Sequence, residues 1–173
     1  MPIRALSRPA VSPDMFRDVM SAVCAPVIVV TATTEEGEPY GTTVSAFAAL
    51  SLSPPMVTAA IDNESGLLVH ARFTRLIGLN VLAHDQEQIA SGFARKGADR
   101  FTGVRWSWDD GLPRIEGAIG WLSADVDQFV PGGDHTLLLA AVRRARTCPG
   151  PPLIYGRRQF GTHSGLQQPR VRS

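Results

Sequence analysis

The chain has 173 residues, enough for one domain with a single substantial core, and its 44% hydrophobic and 19% charged residues are the balance of an ordinary folded domain. A formal net charge of +1 excludes a global field aimed at nucleic acid or an anionic membrane, and no apolar run approaches the roughly 20 residues that span a bilayer. The two cysteines, Cys24 and Cys148, are too few for a disulfide framework and lie in no metal-ligand spacing, so they read as reduced small hydrophobes and no metal site is expected.

Residues 1–12 and 165–173 are rich in Pro, Arg, Gln and Ser without hydrophobic period and read as tails flanking one domain at 13–164. The opening stretch has no continuous apolar segment of the signal-peptide kind, which makes the cytoplasm the expected location. Ser12-Pro13-Asp14 starts a helix, with a capping hydroxyl, a proline tolerated in the first turn and an acid at the positive helix end. Met15 and Val19 continue it at helical spacing to about Val23. Pro26 then opens Val27-Ile28-Val29-Val30-Thr31, a β-branched run that reads as a buried strand. Residues 35–39 turn the chain, and residues 40–47 and 56–61 supply two more strands around Ser51-Leu52-Ser53-Pro54-Pro55, whose prolines belong at a strand end or edge.

A helix is expected over residues 65–73, with Ser65 as cap and Leu67, Leu68 and Ala71 at helical spacing. A strand over 76–82 follows. Residues 85–95 form the clearest amphipathic helix, with Ile89, Ala90 and Phe93 inward and Glu87 and Gln88 toward water. A loop over 96–113 leads to two long strands, about 118–129 and 135–147, joined through Pro131-Gly132-Gly133-Asp134, and residues 153–160 close the set. The sum is a mainly β chain with a few helices, an antiparallel barrel decorated by helices.

The sequence contains no GxGxxG after a strand, no Walker-type GK[ST], no HExxH and no GxSxG, so dinucleotide binding on a Rossmann fold and the common hydrolase and zinc-protease chemistries are excluded. Gly41-Thr42-Thr43-Val44-Ser45-Ala46-Phe47 puts hydroxyls and a glycine on one strand, groups that suit a phosphate or ring carbonyl and also suit a plain strand. Asp62-Asn63-Glu64-Ser65 ends a strand and begins a helix; Ser65 there serves as a cap, as an anion contact, or as both. Gly132-Gly133-Asp134-His135 sets a histidine behind a double glycine, where an imidazole is either structural or placed to stack, hydrogen-bond or transfer a proton to a flat ligand. Arg100, in Asp99-Arg100-Phe101-Thr102-Gly103, either reaches a phosphate or snorkels at the barrel rim. Trp106, Trp108 and Trp121 read as packing residues, or one of them shields a flat ligand ring. No acidic residue follows Asp134, whereas Arg143, Arg144, Arg146, Arg157, Arg158, Arg170 and Arg172 do. That end either steers phosphate-bearing molecules or is a solvated strand face.

In order along the chain, Val27 to Thr31, Gly41 to Phe47, Leu50-Ser51-Leu52-Ser53-Pro54-Pro55, Asn80-Val81-Leu82, Phe93, Asp99-Arg100-Phe101, Gly111-Leu112-Pro113 and Gly133-Asp134-His135 resemble the short-chain flavin reductases of two-component monooxygenases, over about residues 16–163. The resemblance implies an FMN-binding split β-barrel of Greek-key-like, antiparallel form, a homodimer, and reduction of FMN or FAD by NADH or NADPH for a partner monooxygenase. A flavin-retaining oxidoreductase and a non-catalytic flavin-binding module of the same fold remain alternatives. By the same resemblance Thr42, Thr43, Val44, Ser45 and Ala46 line the flavin, Asp62, Asn63 and Ser65 lie at its phosphate, and His135, with Gly133 and Asp134, stands beside the nicotinamide. The chain departs from the family where Asn63 and Glu64, and not a basic residue, flank Ser65; Arg100 is then the candidate cation.

Overall fold

The computed structural model describes residues 11–97 and 99–166, so most of both expected tails lies outside the described residues. Ser12 caps helix α1 (Pro13–Ser21) by accepting from the Met15 N–H at 3.2 Å, and the helix stops before Val23. In chain order there follow β1 (Ala25–Pro26), β2 (Ile28–Thr33), β3 (Pro39–Val44), β4 (Phe47–Leu52), β5 (Pro55–Asp62), α2 (Gly66–Thr74), β6 (Leu76–Val81) and α3 (Glu87–Ala94). The chain continues with β7 (Trp106–Asp109), β8 (Leu112–Ile115), β9 (Gly120–Gly132), β10 (His135–Thr147), β11 (Ile154–Gly156), β12 (Gln159–Gly161) and a 3-10 turn at Ser164–Leu166. No helix among the described residues is long and apolar enough to cross a membrane.

A seven-stranded sheet runs β3-β2-β6-β9-β10-β5-β4, antiparallel at every step. The expected single strand over 40–47 is in fact two, broken at Ser45-Ala46. Because β3 and β4 are consecutive yet occupy opposite edges, the sheet must curl until those edges approach. Ala60 N–H then donates to Ala46 O at 2.9 Å, which fastens the crossing to β5. The mainly β, antiparallel architecture is the one the sequence leads to.

Strand β2 is buried on both faces, as its unbroken β-branched run requires. Ile28, Val30 and Ala32 join one core with Leu67, Leu68 and Ala71 of α2, while Val29 and the preceding Val27 join a second with Ala90 and Phe93 of α3 and with Leu153. Each of the larger side chains among them, valine, leucine, isoleucine or phenylalanine, contributes about 1.5–3 kcal/mol by leaving water, so the two helices are pinned to opposite faces of one strand.

The expected loop over 96–113 contains a hairpin, β7–β8. Its turn is Asp110-Gly111, with φ of 55° and 75°, the paired left-handed geometry that Asp-Gly favours between twisted strands. Buried polar groups of the main sheet meet it: Thr31 Oγ1 donates to Pro113 O (2.8 Å), Asn80 Oδ1 accepts from Ile115 N–H (2.7 Å) and Ser123 Oγ donates to Asp110 Oδ2 (2.6 Å).

The arginines of β10 fasten the same hairpin. Arg144 Nε lies 3.2 Å and Arg143 Nε 3.5 Å from the Asp110 carboxylate, and Arg146 Nε lies 3.0 Å from Asp109 Oδ2. Among the described residues, Arg143, Arg144 and Arg146 of the basic stretch read from sequence are therefore paired with carboxylates that precede them in the chain. The Ser123 hydrogen bond, with Arg143 and Arg144 beside it, holds the Asp110 carboxyl below its ordinary value of 3.8. A depressed folded-state value means this stabilisation is complete above pH 3.8 and disappears as pH falls through the lower folded-state value. Asp110→Asn is expected to lower the melting temperature by a few degrees at neutral pH and to flatten its decline below pH 4, about the ordinary aspartate value. Parallel melting curves for variant and parent across that pH range would contradict it.

Candidate functional site

Where the two edges of the curled sheet approach, a groove of about 470 Å³ opens. The end of β3 and the Ser45-Ala46 crossing form one wall and Ala60, Ile61 and Asp62 of β5 the other. The start of α2 brings Glu64, Ser65 and Gly66, the segment after α3 brings Lys96, Gly97 and Arg100, and β10 brings His135. Of the residues singled out from sequence, Thr42, Thr43, Val44, Ser45, Ala46, Asp62, Ser65, Arg100 and His135 line this groove together, whereas Asn63, Gly133 and Asp134 do not.

The threonine hydroxyls have a second task. Thr43 Oγ1 donates to Ala90 O at 2.7 Å and Thr42 Oγ1 to Phe93 O at 3.4 Å, so both tie α3 to β3 and keep only lone pairs for a ligand. Ser65 occupies the N-cap position of α2 with extended backbone, yet its side chain makes no capping bond. Its hydroxyl therefore remains available to the groove. Asp62 shapes the turn into α2, its Oδ1 accepting from Glu64 N–H at 2.8 Å. Arg100 bonds Gly41 O through Nη1 and Arg95 O through Nε, and its guanidinium lies 5.4 Å from the centroid of the Tyr40 ring. With two of its five N–H groups engaged it is a fixed cation.

Asn63, Gly133 and Asp134 act on His135 and not on the groove surface. Asn63 N–H donates to Asp134 O at 3.0 Å, its Nδ2 to Gly133 O at 3.3 Å, and its Oδ1 accepts from Thr136 Oγ1 at 2.7 Å, clasping the β9–β10 turn. Gly133 supplies the left-handed backbone of that turn, with φ of 72°. The Asp134 carboxylate lies 2.8 Å from His135 Nδ1, and that hydrogen bond, with the histidine's charge, holds the Asp134 carboxyl below its ordinary range. An ionised Asp134 can only accept, so Nδ1 is the donor of this pair and Nε2 is the ring nitrogen left for a ligand. The imidazole is 43% exposed, so a ligand can reach it.

Residues 20–164 match the flavin reductase like domain family. The chain belongs to the flavin reductase family. Among its relatives is the reductase component of 4-nitrophenol 4-monooxygenase/4-nitrocatechol 2-monooxygenase of Rhodococcus opacus, 36% identical over 146 residues that cover 84% of this chain and 78% of that one. An NADH:riboflavin 5'-phosphate oxidoreductase of Streptomyces pristinaespiralis is 35% identical over 160 residues, covering 90% and 91%. Among solved structures, the NADH:FAD oxidoreductase SgcE6 of Streptomyces globisporus, in complex with NAD and FAD fragments, superposes with a TM-score of 0.80 at 30% identity, covering 91% of this chain and 98% of that one. Structural relatives of this kind are flavin reductases of the split-barrel fold, and the curled sheet described above has that form.

Set against the groove of this flavin reductase family member, sequence reasoning missed Tyr40, Gly66 and Lys96. Tyr40 could have been found as an aromatic directly ahead of the Gly-Thr-Thr run. Gly66 is explained only in three dimensions: a methyl group there would sit 2.5 Å from the Tyr40 hydroxyl. Lys96 follows the amphipathic helix at a position whose direction no periodicity sets.

Proposed function

We propose that this chain reduces FMN or FAD with NADH and releases the reduced flavin to a partner monooxygenase. One observation carries the reading: a single groove unites the available Ser65 hydroxyl, the cations Lys96 and Arg100, and an Asp134-oriented His135. Relatives named as NADH:flavin oxidoreductases and as a monooxygenase reductase component support the donor and the acceptor. Thr42, Thr43, Val44, Ser45 and Ala46 line the ring, and Ser65, Gly66 and Lys96 meet the phosphate. His135 borders the nicotinamide, held by Asn63, Gly133 and Asp134. The chemistry supplied by the cofactors is hydride transfer from the dihydronicotinamide to the flavin ring. The protein's part is to hold the two at reacting distance and in a fixed orientation.

We also assign the exposed apolar residues of α1 and β4 to contact with a second copy of the chain. Met15, Phe16, Val19 and Met20 of α1 are exposed, while Asp18 on the same helix pairs with Arg158 at 2.5 Å, which fixes the helix with that face outward. Leu50 and Leu52 of the edge strand β4 are exposed too, Leu52 at 91%. Apolar area of this kind commonly marks an interface. Light scattering is expected to give twice the 18.6 kDa chain mass, and a single-chain mass at micromolar concentration would contradict it.

Release is tested by desalting the protein with bound flavin. The flavin is expected to leave, and NADH consumption then to depend on added FMN or FAD. A chain that keeps its flavin through the column contradicts delivery to a partner.

Gly66→Ala is expected to weaken FMN binding about tenfold, roughly 1.4 kcal/mol. The added methyl must displace Tyr40, whose ring is confined by His70, 4.7 Å between centroids, and by the Arg100 guanidinium. Alanine is otherwise the better helix former, so an unchanged dissociation constant with unchanged or higher melting temperature would show that Tyr40 does not shape the flavin site.

A further inference from the structure

Two oppositely charged side chains from separate elements meet at the mouth of the groove. Glu64, in the turn between β5 and α2, and Lys96, just after α3, both line it, and their Oε2 and Nζ atoms are 3.5 Å apart. Both are open to solvent, Lys96 at 85% and Glu64 at 82%. The other cation of the groove, Arg100, is fastened to the Gly41 and Arg95 carbonyls, and the other carboxylate, Asp62, is held in its turn by the Glu64 N–H. Among the described residues, Lys96 is thus the groove cation whose only charged partner is an exposed carboxylate.

An exposed ion pair is weak, because both groups lose little by returning to water. A flavin phosphate carries close to two negative charges and presents strong acceptors, so it outcompetes one carboxylate for an ammonium. The same carboxylate then stands as a like charge beside the phosphate.

We propose that Glu64 and Lys96 form an exchangeable pair that sets the affinity of the site for phosphorylated flavin. Lys96 leaves Glu64 for the phosphate, and Glu64, by competing for Lys96 and repelling the phosphate, limits how tightly the flavin is held. The consequence is a flavin that binds well enough to be reduced and leaves readily. This inference rests on the groove being the flavin site.

The test compares FMN with riboflavin, which has the same ring and no phosphate, by fluorescence titration of the parent, Glu64→Gln, Lys96→Gln and the double variant. The three variants carry changes at exposed positions only. Glu64→Gln is expected to tighten FMN about fivefold and Lys96→Gln to weaken it about fivefold, with riboflavin unchanged in both and with the effects shrinking at high salt. In the double variant the gain from Glu64→Gln is expected to be smaller than in the parent background, because the two residues are coupled. Glu64→Gln that leaves FMN affinity unchanged or weakens it, or that shifts riboflavin as much as FMN, would overturn the exchange while leaving the flavin groove standing. A parent protein that binds neither flavin would overturn the groove assignment itself.

Discussion

His135→Ala is expected to lower kcat/KM for NADH about tenfold, equivalent to roughly 1.4 kcal/mol of lost transition-state stabilisation, with the FMN dissociation constant unchanged. The asymmetry follows from placement. His135 enters the groove from the first residue of β10, opposite Asp62 in register, whereas the proposed flavin contacts come from β3, Ser45-Ala46 and the start of α2. Its ring is oriented by the Asp134 carboxylate and its turn by two hydrogen bonds that Asn63 donates and one that it accepts, so the imidazole is oriented before any ligand arrives. Preorganisation of this sort is what a group beside a transferring hydride needs. Asp134→Asn is expected to reproduce part of the loss without changing flavin affinity, because it replaces the charged acceptor that fixes Nδ1–H with a neutral amide that can turn its oxygen or its NH2 toward the ring. Unchanged steady-state constants for NADH in His135→Ala would remove the histidine from the nicotinamide site; a matching loss of flavin affinity would move it to the flavin.

Phe93→Ala is expected to cost about 3–5 kcal/mol of folding stability, and with it about 10 °C of melting temperature for a chain of this size. Phe93 is fully buried, stands edge-on to Phe101 at 4.9 Å between centroids, and lies so close over Gly41 that a methyl on that glycine would sit 2.8 Å from its ring. It is the peg that seats α3 on β3, assisted by the Thr42 and Thr43 hydroxyls on the Phe93 and Ala90 carbonyls of the helix. Lys96 and Arg100 follow directly, so a folded Phe93→Ala protein is expected to bind FMN more weakly as well. Denaturant unfolding checks the first effect and flavin titration the second. A loss below about 1 kcal/mol would mean the helix is held by other contacts.

The contrast between these two residues shows where the sequence was informative. Phe93 was legible because burial on a helix leaves a period, with Ile89 and Ala90 completing the inward stripe. The double-sided burial of β2 was legible because its run of branched residues has no polar face. The β7–β8 hairpin was not read, although Asp110-Gly111 between Trp106-Ser107-Trp108-Asp109 and Leu112 is a turn signal; its proline and charges suggested a loop, and the Thr31, Asn80 and Ser123 groups that satisfy it lie far away in the chain. The break at Ser45-Ala46 escaped because a strand that changes sheet edge keeps the composition of a strand.

The groove was legible in its outline and less so in its division of labour. Thr42, Thr43, Ser65, Arg100 and His135 were chosen for their chemistry, and the fold does bring them together. Sequence cannot say that the threonine donors face α3, that Asn63 clasps a turn seventy-odd positions downstream, or that Arg100 is bound to backbone carbonyls while Lys96 pairs with Glu64, because each of these depends on which element arrives opposite.

The function proposed for this groove is to bring a dihydronicotinamide and a flavin together. Anaerobic stopped-flow absorbance, with the purified protein, FMN or FAD, and NADH, measures that step with no partner present. Rapid bleaching of the flavin band, dependent on the protein and slowed by His135→Ala, is the expected result. Tight flavin binding with no bleaching by NADH or NADPH would contradict the account and leave a flavin-binding module of the same fold.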